Sequence, residues 1–133
     1  MLTISLYDID VSRKEEKYEV YRDSVNFKGR FKLSIEEMSF QIILHGGNAR
    51  TSAMEAIQHA KDGELDIAEQ KIQEANKEIG EAHRTQTDLI EREARGEKTE
   101  IRLLLIHAQD HLMNAMTVKD LAQEVIELYK RIH

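Results

Sequence analysis

His107, Asp110, His111 and Asn114 stand at i, i+3, i+4 and i+7, the spacing that places four side chains on one side of an α-helix. A neutral imidazole can act as a nucleophile, a metal ligand or a proton carrier, and a nearby carboxylate can orient the ring or hold a cation. These polar residues follow directly on Leu103-Leu104-Leu105-Ile106. Burying imidazole and carboxylate among aliphatic side chains costs free energy unless they are paired or bind something. Spacing alone leaves three readings open: a histidine that carries a covalent group, a metal held by His-x-x-x-His, and a solvated stripe on the rim of a helical bundle. The Glu of a His-Glu-x-x-His zinc protease is missing. Of the remaining histidines, His83 on the segment Glu81 to Thr87 is expected to pack at the interface, the alternative being a place near the His107 site. His45 beside Gly46-Gly47 is expected in the core or at its rim, and His59 and His133 in solvent.

Several other chemistries have no residues to carry them. The 133-residue chain contains no Cys, which removes disulfide frameworks, thiolate metal sites and cysteine nucleophiles together. It has no Gly-x-Ser-x-Gly elbow, no phosphate loop ending in Gly-Lys-Ser/Thr and no dinucleotide fingerprint. A formal charge of −6 works against nonspecific nucleic-acid binding, which needs clustered Lys and Arg. No secretion signal is visible, because Asp8 and Asp10 interrupt the apolar stretch near the start. The longest aliphatic run, Leu103 to Ile106, is far short of the roughly 20 residues a membrane-spanning helix needs. A soluble, cytoplasmic chain is expected.

The elements that must position these residues are helices. Zero Pro, zero Trp, 5% aromatic and 33% charged residues suit long amphipathic helices better than sheets. Ser34-Ile35-Glu36-Glu37 is a capping box that opens the first helix, and Asp62-Gly63 closes it near Lys61. The second helix is expected from about Glu64 to Ala94, ended by Arg95-Gly96-Glu97, and the third from about Lys98 to Arg131. Short turns make sequential neighbours antiparallel, so the predicted fold is all-α, an up-down-up three-helix bundle. Gly46-Gly47 weakens the first helix by about 1 kcal/mol per glycine, which close approach of another backbone would offset. In the third helix, 18 of the 32 residues from Ile101 to Ile132 are Ala, Val, Ile, Leu, Met or Tyr. That is wider than one core-facing stripe requires, so a second face is expected to be buried by self-association. Residues 1 to 33 are read as an N-terminal extension outside the domain at 34 to 133, with Met38 or a neighbouring codon an alternative start.

The run His107-Ala108-Gln109-Asp110-His111-Leu112-Met113 resembles the enzyme IIA family of lactose, cellobiose and chitobiose phosphotransferase systems. Gly47-Asn48-Ala49-Arg50, Glu81-Ala82-His83 with Gln86-Thr87, and Leu121 through Arg131 agree in order and spacing, so the resemblance covers about Glu36 to Ile132. It implies a phosphoryl carrier: His107 accepts the group from the phosphocarrier protein HPr and passes it to a cysteine of enzyme IIB, with the sugar bound by the membrane partner IIC. Gln109 and His111 are the candidate donors to the phosphoryl oxygens. Apolar surroundings would keep the carrier imidazole neutral. The resemblance also implies a homotrimer in which Asp110 of each chain meets the others around a divalent cation, magnesium by expectation. Ala108 leans toward the cellobiose and chitobiose branch. The readings that compete with the carrier are a noncatalytic trimeric adaptor and a metal-dependent enzyme using His107, Asp110 and His111 within one chain.

Overall fold

The structure, a computed structural model, describes residues 33–132. They form three helices and no strand: α1 (Ile35–Lys61), α2 (Leu65–Ala94) and α3 (Leu103–Ile132). The expectations for residues 1 to 32 and for His133 lie outside the described residues.

The first helix starts where its capping box predicts. The Ser34 hydroxyl accepts from the Glu37 backbone N–H at 3.1 Å, and the Glu37 carboxylate accepts from the Ser34 N–H at 2.8 Å. Two backbone donors that the helix cannot satisfy are thereby satisfied, and Glu36 and Glu37 place negative charge at the positive end of the helix dipole. Gly63 and Gly96 take the left-handed backbone (φ 79° and 85°) that closes α1 and α2, a conformation side chains disfavour.

The third helix begins five residues later than the expected Lys98. Residues 95 to 102 form a connection instead, in which Arg102 pairs with Glu36 in the first turn of α1 and with Glu100. That tie across 66 positions competes with extending the helix toward its N-terminus.

Helix α1 packs extensively on both α2 and α3, which meet each other much less. Its inward positions explain why: Ala49, Ala53, Ala56 and Ala60 recur every three or four residues and are fully buried, so neighbouring helices approach closely. Together with Ala68, Ala75, Ala115, Ala122, Ile72 and Ile126 they make one half of the core. The other half, around Met38, Ile42, Leu89, Leu105, Ala108 and Leu112, uses larger side chains and lies beneath the histidine-bearing turn of α3. None of the three helices is long and apolar enough to cross a membrane.

Candidate functional site

Leu105, Ala108 and Leu112 fix the orientation of the first turns of α3 by burying one face against α1 and α2. With that face inward, His107, Asp110 and Asn114 are exposed and His111 is half-buried. The rings of His107 and His111 meet edge to face with centroids 5.4 Å apart. The predicted stripe therefore exists as a surface feature at the edge where α3 meets α1.

His111 is the buried end of that stripe. A Cβ built on Gly46 would lie 3.4 Å from Nδ1 of His111 and 3.6 Å from its backbone carbonyl. The glycine pair thus serves the close helix contact expected of it, and what approaches is the backbone and ring of His111. Its Nδ1 is sealed in this contact without a hydrogen-bond partner. Burial holds the His111 pKa below the ordinary imidazole value; the charges of His107 and Arg50 push the same way, and Asp110 opposes them. Apolar surroundings were expected at His107; in the single chain His107 is exposed and the ring that is partly buried is His111.

Gln109 does not join the stripe. Two residues along a helix turn the side chain by about 200°, so Gln109 points away from His107 of its own chain and toward α2. There its Oε1 accepts from Nε2 of Gln86 at 2.5 Å, a polar tie between α2 and α3. His83 is exposed in the single chain, and borders a shallow groove on α2 with Gly80, Arg84 and Thr87. His45 is a rim histidine: its Nδ1 lies 2.7 Å from Glu78 of α2, which Asn48 also reaches. The bond from His45 is the main reason the Glu78 carboxyl sits below the usual range; burial opposes it. His59 pairs with Glu64 across the first turn, so it is less free than a solvated position implies.

Asp110 is an exposed carboxylate amid Ile106, Met113 and other outward-facing aliphatic side chains. Among the described residues of the chain no group of three or more His, Asp or Glu side chains is placed to hold a metal ion, so His107, Asp110 and His111 do not form one together. Arg50, quoted above only as part of the run Gly47-Asn48-Ala49-Arg50, was given no role by the sequence reasoning. One turn beyond Gly46 on α1, it lies close enough for its charge to act on His111. The register against Gly46-Gly47 was the available signal.

With this geometry in view, comparison with known proteins decides the family. Residues 37–130 match the family described as PTS system, lactose/cellobiose specific IIA subunit. The chain belongs to that family. It is 62% identical over 98 residues to the lichenan-specific phosphotransferase enzyme IIA component of Bacillus subtilis, covering 74% of this chain and 89% of that one. It is 53% identical over 91 residues to the cellobiose-specific EIIA component of Lactococcus lactis, covering 68% and 78%. Among solved structures, the cellobiose-specific enzyme IIA of Bacillus anthracis superposes with a TM-score of 0.73 at 57% identity, covering 76% of this chain and 93% of that one. The IIA(chitobiose)–HPr complex of the Escherichia coli N,N'-diacetylchitobiose branch does so with 0.67 at 36% identity, covering 76% and 98%. The resemblance carried by residues 107 to 113 thus extends over the whole helical bundle, and the chain is a sugar phosphotransferase-system component of the cellobiose/lactose type.

Proposed function

We propose that the protein is a cytoplasmic phosphoryl carrier that accepts the group from phospho-HPr on His107 and passes it to a cysteine of enzyme IIB, during uptake of a disaccharide through IIC. The observation that carries this reading is an exposed imidazole, His107, backed by a second imidazole at 5.4 Å in a chain of the IIA family. In the first step the lone pair of a His107 ring nitrogen attacks phosphorus while the bond from phosphorus to HPr breaks. In the second a thiolate of IIB attacks and the phosphorus–nitrogen bond breaks. Such transfers require in-line positioning and donors to the equatorial oxygens more than acid–base chemistry. Exposure suits a residue that two different proteins must reach. The chitobiose relative in complex with HPr supports HPr as the donor, and the lichenan and cellobiose relatives support a β-glucoside substrate for the system.

The site is completed by other copies of the chain. Leu103, Ile106, Asp110, Met113, Thr117, Leu121 and Leu128 form one outward seam on α3, repeating about every 3.5 residues as helix-bundle seams do. Wound around a three-fold axis, this seam buries the second apolar face that the composition of α3 requires. In a closed ring of three parallel helices, the His107 edge of one α3 faces the Gln109 edge of the next. Gln109 then serves as phosphoryl donor across the interface, with His111 donating from within the chain. Three Asp110 carboxylates converging on the axis need a divalent cation or protons. Oxygen-only donors fit a hard ion such as magnesium, which would neutralise the clustered charge and hold the trimer together.

Reconstitution tests the carrier role. With phosphoenolpyruvate, enzyme I, HPr and IIB, label should reach IIB only when this chain is added, and His107→Ala should block it. Label reaching IIB equally well through the variant would overturn the assignment and favour a noncatalytic adaptor.

A further inference from the structure

We propose that Gln86 of α2 is a positioning residue for the transfer site: it binds the oxygen of the Gln109 side-chain amide and so leaves the NH2 group of Gln109 free to meet an anionic oxygen. The tie between the two amides is a feature of the single chain; its consequence for transfer rests on the carrier reading above, with Gln109 as a phosphoryl donor.

A glutamine amide has two unlike ends, an oxygen that accepts and a nitrogen with two N–H donors, and the nitrogen end alone can serve a phosphoryl oxygen. An unrestrained amide turns about its last torsion, a broad and roughly two-fold rotor, and so presents either end. The contact with α2 removes that choice. Nε2 of Gln86 donates to Oε1 of Gln109 at 2.5 Å, across 23 positions of sequence and between two half-buried residues. Nε2 of Gln109 takes part in no hydrogen bond of the chain. It is not buried either, because the one buried side-chain polar atom without a partner among the described residues is Nδ1 of His111. The oxygen end of Gln109 is therefore held while its nitrogen end is open.

The packing around the pair keeps it in register. Ala82 and Leu89 on α2, and Leu105, Ala108 and Leu112 on α3, are buried in one cluster, so the turns that carry Gln86 and Gln109 are anchored on the same half of the core. Transfer spreads negative charge over the equatorial oxygens of the phosphoryl group, and a donor fixed in advance costs no reorganisation when that charge develops. Gln109 supplies such a donor without a formal charge of its own. Gln86 supplies the fixing without touching the phosphoryl group. A carboxylate in place of Gln86 would reverse the arrangement, since it has no N–H to offer and would draw the Gln109 N–H groups to itself.

Neutron diffraction from the deuterated full chain locates the amide deuterium atoms. The expected map has one on Nε2 of Gln86 between the two side chains, and none on Nε2 of Gln109 directed at Gln86. Phosphoryl transfer from phospho-HPr should slow about 100-fold in Gln109→Leu, as loss of a fixed donor does. In Gln86→Leu, where the donor remains but is no longer held, it should slow about 10-fold. That loss should fall on kcat with KM for phospho-HPr unchanged, the pattern of an interaction made only in the transition state. Gln86→Glu, similar in shape, should be at least as slow as Gln86→Leu, and in a Gln109→Leu background Gln86→Leu should have no further effect. A deuterium of Gln109 lying between the two residues overturns the proposal. So does a folded Gln86→Leu or Gln86→Glu that transfers at the wild-type rate, or an equal loss from Gln86→Leu with and without Gln109. Gln109→Leu at the wild-type rate takes Gln109 out of the transfer site and overturns the positioning role as well. A wild type with the expected map that accepts no phosphoryl group sinks the carrier reading and with it the role in transfer, leaving only the tie between the amides.

Discussion

On the face of α3 turned toward α1 and α2, half of the buried positions are alanine: Ala108, Ala115 and Ala122 beside Leu105, Leu112 and Ile126. On the opposite face every large apolar residue is Leu, Ile or Met, with Leu103 81%, Leu121 60% and Ile132 72% exposed in the single chain. A helix that met only its own bundle would carry the reverse arrangement, because bulk buried is what stabilises. The small residues instead bring three helices of one chain close together, and the bulk is left exposed on the other side, the face that the proposed trimer would cover. His107 and His111 lie on the border between these two faces.

The contrast is broken most severely at its inner face. Leu112→Ala removes a fully buried side chain under the site and should cost about 2–5 kcal/mol, measured by denaturant unfolding. On the outer face, if the proposed trimer forms there, Met113→Lys should leave helicity intact but shift the sedimenting species from trimer to monomer. An unchanged trimer would show that this face is not the interface. Asp110→Asn sharpens the comparison at the centre of the outer face. If three carboxylates share a cation there, a chelator should destabilise the wild-type assembly and leave that of the variant nearly unaffected. The smallest effect belongs to the border. Because the His111 pKa is lowered on folding, its contribution is present above the ordinary imidazole value of 6.5 and is lost as pH falls below it. His111→Gln should flatten that part of the stability–pH curve, read by thermal unfolding between pH 5 and 7.

Local chemistry was legible wherever a short segment determines its own structure. The capping box at Ser34 and the stop at Asp62-Gly63 fixed the bounds of α1, and the helical period placed His107, Asp110, His111 and Asn114 on one side of α3. The start of α3 was not legible, because it depends on Arg102 reaching a carboxylate on another helix. That Gln109 lies off the stripe follows from the helical period, but its bond to Gln86 on α2 depends on how two helices pack, which no local pattern reports. Which imidazole is partly buried depends on the contact between Gly46 and His111, a packing event between residues 65 positions apart, and no local pattern reports it.

Intact mass of wild type and His107→Ala, after incubation with phosphoenolpyruvate, enzyme I and HPr, tests the carrier assignment most directly. One acid-labile phosphoryl group per chain on the wild type, and none on a folded variant, is the predicted result. The same addition to both proteins would place the group on another residue and contradict the account.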